Sequence, residues 1–431
     1  MPALTLDATE IPAVYHRFSE AMGAQHWRKQ AKKLRDEFRR NSLLRQYLLS
    51  ECDLLFQLDM LGELCQHGMH VPARRVSFLY PAACLALQLL TMMEEQGESA
   101  AMQLRRRFYG AVKNPADMRG LQLELAAATH FTTLGKKISW PETTGIGTFD
   151  LLVEGNGHPS LEVECKSVGE DKGRKLHGRD VVDFVSLLKD PLHAVLKSMP
   201  GGLAVVVTLP AKLPTAYKER CALARSVARA ILSGENCTLE SGSVVRMTNF
   251  DVDALGAPPW SQTDELRRTF DQLTSTKNRS ALIMATKAGG ALALALQSQQ
   301  DDSMLEYTHE TLSKAAQKQL TGTRPAMLIA RFEGLPPQAM HALVENDGNA
   351  ANAPSALQIT ASRFLASASR PHVIGVGFLS QDAMQEFKSG VVKTYGIAYF
   401  FANTRSPYWS DSFDNMFGWS GSVDRNEHKA A

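Results

Sequence analysis

Phe149-Asp-Leu-Leu-Val-Glu154 and Ser160-Leu-Glu-Val-Glu-Cys-Lys166 are the two stretches of sequence on which the fold assignment depends. Each is a short run rich in Leu and Val, and the second alternates apolar and charged residues, which is typical of a strand with one buried face. The Gly155-Asn-Gly157 segment between them supplies the residues that tight turns require. The sequence therefore predicts a hairpin that brings Asp150 beside Glu164.

Elements on both sides of the hairpin complete a layered pattern. The residues from Gly120 to about Gly135 are rich in helix formers, and a first strand is predicted at Ile138–Pro141. After the hairpin, a helix is predicted from about 180 to 199. It is followed by the apolar run Leu203–Leu209, which is typical of a strand buried on both faces. The predicted order over residues 116–235 is α-β-β-β-α-β.

The rest of the chain is predicted to form three further regions. Residues 1–115 are predicted to be a helical domain, because apolar residues such as Trp27 and Leu34 recur there at helical spacing. Residues 236–410 alternate helix and strand signals and are predicted to form an α/β region of unknown role, and residues 411–431 a disordered tail. The fold class is therefore α/β, with a helical N-terminal domain, a central core and a C-terminal α/β extension.

Composition limits the classes of function. The chain has 431 residues, of which 44% are hydrophobic and 21% charged, which is ordinary globular usage and a length that suits two to three domains. Six cysteines are scattered without a CxxC pair, so neither a disulfide framework nor a zinc ribbon is predicted. The N-terminal sequence lacks the features of a signal peptide, and the most apolar windows are too short or too interrupted to span a bilayer. A cytoplasmic protein without a membrane partner is predicted.

The triplet (D/E)xK occurs at least four times, so only its context can single out one of them. Glu164-Cys-Lys166 lies on a predicted alternating strand, where side chains two residues apart share a face. A half-buried strand with Glu162, Glu164 and Lys166 facing solvent would produce the same alternation, and that is the alternative explanation of the triplet. The other three copies are Glu170-Asp-Lys172, Glu386-Phe-Lys388 and Glu427-His-Lys429.

Together with Asp150, the Glu164-Cys-Lys166 triplet resembles the motif of the PD-(D/E)xK, or restriction-endonuclease-like, nuclease superfamily, whose shared core has the same α-β-β-β-α-β order. The resemblance covers residues 117–209. The Gly120-x-x-Leu-Glu124 segment is also similar to the helix that supplies an extra acid in many members. Two departures leave the subfamily open: Thr148-Phe149 replaces the usual proline before the first acid, and no obvious glutamine follows the lysine on the next helix.

The resemblance implies a metal-dependent site. Phosphodiester hydrolysis needs an in-line water and relief of the charge that builds on the phosphate, and a hard cation supplies that relief. Asp150, Glu164 and the carbonyl of Cys165 are the predicted ligands of Mg²⁺ or Mn²⁺, because these ions prefer oxygen ligands and keep several waters. Lys166 is predicted to orient or deprotonate the attacking water. Glu124 is predicted to hold Lys166 or a second metal.

Two basic segments are predicted to bind nucleic acid, although the formal net charge of the whole chain is only +2. One follows the triplet. The other lies between Arg17 and Arg45, where the sequence has nine Lys and Arg residues but only three acidic residues. Cationic side chains supply most of the affinity that does not depend on sequence, but solvated helix and loop faces have the same composition. The predicted contacts are Lys172, Arg174, Lys175 and Arg179 in the first segment and Arg28, Lys32, Arg35 and Arg39 in the second.

These expectations combine into a metal-dependent nuclease that acts on DNA, with double-stranded DNA as the expected partner. By analogy with the resembled superfamily, bacterial defence or mobile-element processing is the expected context. One alternative is a non-catalytic nucleic-acid-binding module of the same fold. Another is an enzyme whose active site lies in the C-terminal region. The sequence also leaves open a homodimer or a partner protein.

Overall fold

The computed structural model describes residues 6–66, 73–95, 97–141, 147–155, 159–255, 264–274, 280–386 and 392–416. Within these ranges the protein is mixed α/β, and the prediction is confirmed at that level. The chain divides into two compact units: unit 1 contains Met1–Leu34, Glu51–Lys172 and Met304–Ala431, and unit 2 contains Arg35–Ser50 and Gly173–Ser303. The units interleave along the chain, whereas the predicted domains 1–115, 116–235 and 236–410 are consecutive.

The described helices precede, connect and flank the strands. In chain order they are α1 (Ile11–Met22), α2 (Gln25–Arg40), α3 (Leu44–Glu51), α4 (Asp53–Gln66), α5 (Ala73–Glu95), α6 (Glu98–Ala111), α7 (Pro115–Thr133), α8 (Gly178–Leu188), α9 (His193–Ser198), α10 (Tyr217–Ser233), α11 (Asp264–Thr274), α12 (Met304–Lys318), α13 (Pro337–Gly348) and α14 (Ala356–Leu365).

The described strands form two large sheets and one small hairpin. In chain order they are β1 (Lys137–Ser139), β2 (Leu151–Glu154), β3 (Leu161–Val168), β4 (Gly202–Leu209), β5 (Cys237–Thr238), β6 (Val244–Phe250), β7 (Ser280–Ala285), β8 (Ala291–Ser298), β9 (Ala326–Phe332), β10 (Val373–Leu379), β11 (Ala383–Glu386), β12 (Val392–Tyr395) and β13 (Ala398–Ala402). β11 pairs only with β12 among these strands.

Unit 1 contains a six-stranded sheet in the order β1-β2-β3-β9-β10-β13. In its first half β1, β2 and β3 pair antiparallel in chain order. The predicted hairpin corresponds to β2 and β3. β3 then pairs parallel with β9, and β9 pairs parallel with β10. Residues 156–158 of the predicted hairpin turn lie outside the described residues.

The prediction that Leu203–Leu209 completes this sheet is wrong. That run is β4, which lies in the sheet of unit 2, and the strand beside β3 is β9. The reason is an insertion: residues 173–303 form most of unit 2 and separate β3 from β9 in sequence. Both runs are apolar and buried, so their patterns cannot show which one pairs with β3.

The α-β-β-β-α-β order is nevertheless present in unit 1 when the inserted residues are passed over. α7 precedes β1, β2 and β3, and α12 and β9 follow after the insertion. A helix between two parallel strands is the usual crossover connection, because parallel strands cannot be joined by a tight turn. The helix of this crossover is thus α12, not the predicted helix at 180–199.

Helices cover the two faces of the unit 1 sheet. On one face, Val168 and Leu328 pack with Leu312 of α12 and Phe364 of α14 in one apolar cluster. On the other face lies α7, since Arg331 of β9 hydrogen-bonds to its residues. β3 is therefore an interior strand with both faces protected from solvent.

Unit 2 is built on a five-stranded sheet in the order β5-β6-β4-β8-β7. β4 pairs parallel with β8, and the other neighbours are antiparallel. One face packs against α8 and α10 through residues such as Val185, Val205 and Val227. The opposite face packs against Phe270 of α11.

The predicted disordered tail, residues 411–431, lies partly outside the described residues. Its first part, Asp411–Met416, forms a 3-10 helix in which Phe413 is fully buried. For these six residues the prediction of disorder is wrong, because burial of the ring and of Met416 holds the segment on the fold. Residues 417–431 are not described.

One described helix, Arg75–Glu95, is long and apolar enough to cross a membrane, and 67% of its most apolar window is buried inside the protein. The core helix of a soluble protein passes the same test of length and composition.

Candidate functional site

β2 and β3 place Asp150, Glu164 and Lys166 at one point of the unit 1 sheet. Leu151 is the register partner of Val163, so Asp150, one residue earlier, lies next to Glu164. Glu164 and Lys166 are two residues apart on β3 and share a face. The sequence spacing alone fixes these neighbours once the hairpin forms.

Hydrogen bonds tie the three residues together. The backbone N–H of Cys165 donates to Oδ2 of Asp150 over 2.7 Å, and the backbone N–H of Asp150 donates to Oε2 of Glu164 over 3.2 Å. The ammonium of Lys166 forms an ion pair with Oε1 of Glu164. The two carboxyl groups and the ammonium are therefore held together by contacts between the start of β2 and the middle of β3.

Burial controls the charge states at this point. The side chain of Glu164 is completely buried, and burial together with the charge of Asp150 raises its pKa to about 8, although Lys166 opposes the shift. Burial lowers the pKa of Lys166, but the neighbouring Glu164 and Asp150 outweigh burial and the pKa is raised. Burial also raises the pKa of the Cys165 thiol well above its usual value. Burial therefore disfavours the charged form of Glu164, and the ion pair with Lys166 opposes that effect.

Lys166 extends from the buried Glu164 to the solvent, since 24% of the Lys166 side chain is exposed. Asp150 is half-buried. A small charged ligand could therefore approach through Asp150 and Lys166 while Glu164 stays inside.

Glu124 lies near this group but has a different partner from the one that the sequence predicts. Its carboxylate pairs with the guanidinium of Arg107 on α6, with an N–O distance of 2.5 Å. Its charge is one of the smaller causes that raise the pKa of Glu164. The structure pairs Lys166 with Glu164 and Glu124 with Arg107, and the expectation that Glu124 holds Lys166 or a second metal stays a prediction.

The residues present fit a hard divalent cation. Asp150 and Glu164 offer two neighbouring carboxylates, one just before β2 and one in the middle of β3. The carbonyl of Cys165, the residue after Glu164, is the third candidate donor, and the N–H of the same residue is directed to the Asp150 carboxylate. Within the described part of the chain no three His, Cys, Asp or Glu side chains gather as a metal-binding group. Magnesium commonly uses one or two carboxylates and completes its shell with water, so this smaller donor set suffices.

Glu162 shares the face of Glu164 but anchors a loop. Its carboxylate accepts a 2.8 Å hydrogen bond from the backbone N–H of Thr321 and pairs with Arg324 over 3.3 Å. The side chain is fully buried, so the alternative in which Glu162, Glu164 and Lys166 form a solvent-facing strand surface does not describe this strand. Glu162 holds the segment that leads into β9.

Sequence reasoning missed a buried arginine beside the site. Arg331 is the register partner of Ser167, and its guanidinium contacts Glu333 at 3.0 Å and the side chain of Gln122 at 2.9 Å. Ser167 donates a 2.7 Å hydrogen bond to the same Glu333. This network links α7 to β3 and β9. The signal that was available is a single arginine in an otherwise apolar strand, Ala326–Phe332.

The basic residues that follow the triplet occupy varied environments. Lys172 is exposed and its ammonium lies 5.4 Å from the ring centre of Tyr307. Arg174 and Lys175 are half-buried. Arg179 pairs with Glu37 over 2.8 Å and with Asp183 over 3.2 Å. Arg179 therefore already has carboxylate partners, which a phosphate would have to displace.

The basic residues of α2 are also unequal. Arg28 and Arg35 are half-buried, and the Arg28 guanidinium lies beside Tyr15 over Gly62. Lys32 is exposed, and Arg39 is exposed but pairs with Asp36 one turn earlier over 3.1 Å. A phosphate-binding role for α2 stays a prediction.

Of the other (D/E)xK triplets, only Glu170-Asp-Lys172 is fully described, and it lies in a turn after β3. Lys388 and the whole Glu427-His-Lys429 triplet lie outside the described residues. The turn does not impose the shared face that β3 gives to Glu164 and Lys166.

Comparison with protein-family models, with curated proteins and with solved structures finds no match to this chain. The resemblance to the PD-(D/E)xK superfamily therefore depends on the motif and on the order of elements around it. Any function has to be argued from the residues themselves.

Proposed function

We propose that this protein is a metal-dependent nuclease that hydrolyses phosphodiester bonds in DNA, with Asp150, Glu164 and Lys166 at its centre. The observation that carries the proposal is the arrangement of these side chains, with Asp150 just before β2 and Glu164 and Lys166 within β3, joined by two hydrogen bonds from backbone N–H groups to carboxylates and by an ion pair. Two carboxylates beside a lysine are the groups that metal-assisted attack on a phosphodiester requires.

The order of elements in unit 1 supports the same proposal. The α-β-β-β-α-β order surrounds the triplet after the inserted residues are passed over, although its last helix and strand are α12 and β9. Asp150 lies immediately before β2, and Glu164 and Lys166 lie within β3, an interior strand of the sheet. Such elements hold side chains more closely in place than a surface loop does.

Each residue would have a distinct role. Asp150, Glu164 and the Cys165 carbonyl would hold the Mg²⁺ or Mn²⁺ ion, which supplies Lewis-acid relief of the charge on the scissile phosphate. The Lys166 ammonium, which reaches the surface, would lie beside the attacking water and the phosphate and would neutralise developing charge. Glu124, held by Arg107, would adjust the field at Glu164 without binding the ion directly.

The decisive test measures cleavage and binding separately. A supercoiled plasmid and a labelled DNA duplex should be cut by the full-length chain with Mg²⁺ or Mn²⁺ and left intact with a chelator. Asp150→Asn and Glu164→Gln should lose cleavage by at least about 100-fold while duplex binding measured without the metal persists, because the carboxylates are ligands and not the basic surface.

The matched control is Asp171→Asn, which removes a carboxylate from the turn after β3. Its cleavage rate should equal that of the unaltered protein. Cleavage that survives in both Asp150→Asn and Glu164→Gln would show that these residues do not form the catalytic site. Metal-independent binding with no cleavage under any condition would instead favour a non-catalytic nucleic-acid-binding module.

A further inference from the structure

The charge of this protein is divided unequally between its two compact units. Unit 2 contains 20 Lys and Arg residues against 15 Asp and Glu, whereas unit 1 contains 27 against 30. The near-neutral total of +2 thus combines a basic unit with a slightly acidic one. Since electrostatic attraction dominates non-specific binding to a polyphosphate, a phosphate-binding surface is to be sought on unit 2.

The outer face of α10 gathers this positive charge into a line. Lys218, Arg225 and Arg229 are all exposed, and Ala222 occupies the intervening helical turn. The spacings of seven and four residues keep the three cations on one side of the helix. At 1.5 Å per residue the line from Lys218 to Arg229 is about 16 Å long.

The opposite face of α10 fixes the direction in which this line points. Leu223, Val227 and Ile231 are buried, and they pack with Val205 and Val207 of β4 in one apolar cluster. The helix cannot rotate about its axis without exposing these side chains. The basic line is therefore held outward by the core of unit 2.

The three cations of this line have no acidic partner in the part of the chain that the structure describes, unlike Arg220 of the same helix. Within the described ranges, no hydrogen bond or ion pair engages the side chains of Lys218, Arg225 or Arg229. By contrast, Arg220 on the inner side of the same helix pairs with Asp180 over 3.3 Å and donates to the Pro214 carbonyl. An unpaired exposed cation binds phosphate without first breaking an ion pair.

The residues between the cations are small. Ala222 is exposed and Ser226 is half-buried, and neither side chain extends far from the helix between Lys218 and Arg229. A sugar-phosphate backbone can therefore approach the helix closely. Glu219 is the one exposed acid within the described helix, and it lies at the first turn beside Lys218.

We propose that the outer face of α10, formed by Lys218, Ala222, Arg225 and Arg229, is a docking surface for the sugar-phosphate backbone of a DNA duplex. This inference rests on the proposed function for its choice of polyanion. It assigns the duplex contact to a helix that no sequence motif identifies, in addition to the segments around Arg174 and α2.

The test is a salt titration of binding, carried out with the full-length chain. A labelled 30-bp DNA duplex is titrated by fluorescence anisotropy in chelator at several salt concentrations between about 50 and 200 mM, the range over which counterion release is readily measured. The variant carries Lys218→Gln, Arg225→Gln and Arg229→Gln. Glutamine is a good helix former, so the helix is retained, and circular dichroism confirms it.

The matched control carries Lys197→Gln, Arg246→Gln and Lys287→Gln. These residues are exposed and belong to unit 2. Their substitution removes the same amount of positive charge from surfaces other than α10. If each α10 cation contacts one phosphate, the log-log salt slope of the α10 variant should be smaller by about 2.7. Between 50 and 200 mM salt the unaltered protein would then lose about 40-fold more affinity than the α10 variant. The control should stay close to the unaltered protein.

Equal slopes for the α10 variant and the control would overturn the proposal, as would a chain that does not bind the duplex at all. Failure of the proposed function has a different signature. A chain that binds DNA through α10 but does not cut it with Mg²⁺ or Mn²⁺ would keep this inference and lose the nuclease. A chain that cuts DNA normally, and whose α10 variant binds the duplex as the unaltered protein does, would keep the nuclease and lose this inference.

Discussion

The backbone N–H of Cys165 donates a 2.7 Å hydrogen bond to Oδ2 of Asp150. This bond crosses from β3 to the residue before β2, so Asp150 both closes the end of the hairpin and presents a carboxylate beside Glu164. A structural and a chemical role coincide in one side chain, and suitable substitutions can separate them.

Asp150→Asn and Asp150→Ala should differ in stability but not in activity. Asparagine keeps an oxygen that accepts the Cys165 N–H, whereas alanine leaves this buried donor without that acceptor, which costs about 1 to 3 kcal/mol. Urea denaturation should therefore show a lower unfolding free energy for Asp150→Ala alone. Both variants should lose Mg²⁺-dependent cleavage.

Equal unfolding free energies of the two variants would mean that the Cys165 bond does not contribute to folding. Cleavage retained by Asp150→Asn would mean that the charge of Asp150 is not needed. The two outcomes are independent, so each role of the residue is tested separately.

Lys166→Ala should separate catalysis from metal binding. An ammonium that neutralises charge or moves a proton contributes roughly 100-fold to 10,000-fold to a rate, so cleavage should fall by that order. Lys166 is not a predicted ligand, and isothermal titration with Mn²⁺ should show binding that is unchanged or tighter, because the competing ion pair with Glu164 is removed. Glu164→Gln should lose Mn²⁺ binding in the same measurement. A Lys166→Ala protein that cuts at the normal rate would contradict the assigned role.

The hairpin could be predicted from sequence because its signals are local. Alternation over Ser160–Lys166 and the apolar run before Gly155 give two strands, and β2 and β3 are found where these patterns lie. A pleated hairpin then fixes which side chains are neighbours, so the proximity of Asp150 and Glu164 follows without further information.

The remainder of the sheet could not be predicted in the same way. β4 and β9 are both short, apolar and buried, and chain order favoured β4 as the neighbour of β3. The pairing with β9 spans the inserted residues 173–303, and no local pattern records such a long-range contact. Strands were expected in the C-terminal region, but which of them join which of the two large sheets depends on tertiary structure.

The partners of charged residues were equally inaccessible from sequence. Glu124 was expected beside Lys166, but the ion pair with Arg107 depends on how α6 packs against α7. Arg331 and Glu333 lie far along the chain from Ser167, yet they form its hydrogen-bond network. Sequence spacing fixes neighbours within a strand or helix, whereas these pairs are set by packing between elements.

Arg331→Met should destabilise unit 1 strongly. Only 3% of Arg331 is exposed, and methionine would remove the cationic partner of Glu333, which would keep the Ser167 hydrogen bond, and the donor to the acceptor groups of α7. Breaking a buried ion pair from one side costs roughly 3 to 5 kcal/mol, and that loss is expected in the unfolding free energy measured with urea. Arg331→Lys should lose less unfolding free energy than Arg331→Met, because lysine keeps the positive charge. It should still be less stable than the unaltered protein, because lysine lacks the planar guanidinium.

Arg363→Met is the matched control for this change, because Arg363 is an exposed arginine of α14. Its unfolding free energy should stay within about 0.5 kcal/mol of the unaltered protein. A comparable loss in both variants would show that the buried network has no special contribution.

The pH dependence of stability should report on His130, near the end of α7. Its side chain is 2% exposed, and burial lowers its pKa to about 4. The folded state therefore keeps the imidazole neutral, while the unfolded chain takes up a proton near its ordinary pKa of about 6.5. The unfolding free energy is therefore unaffected by His130 above about pH 6.5 and falls by up to about 3 kcal/mol as the pH falls from about 6.5 to 4.

In His130→Gln the corresponding slope of unfolding free energy against pH should disappear. His341→Gln is the control and should keep the slope, because 39% of the His341 side chain is exposed. Urea denaturation at pH 7, 6, 5 and 4 measures the difference, and a slope for His130→Gln as steep as that of the unaltered protein would assign the acid sensitivity to other groups.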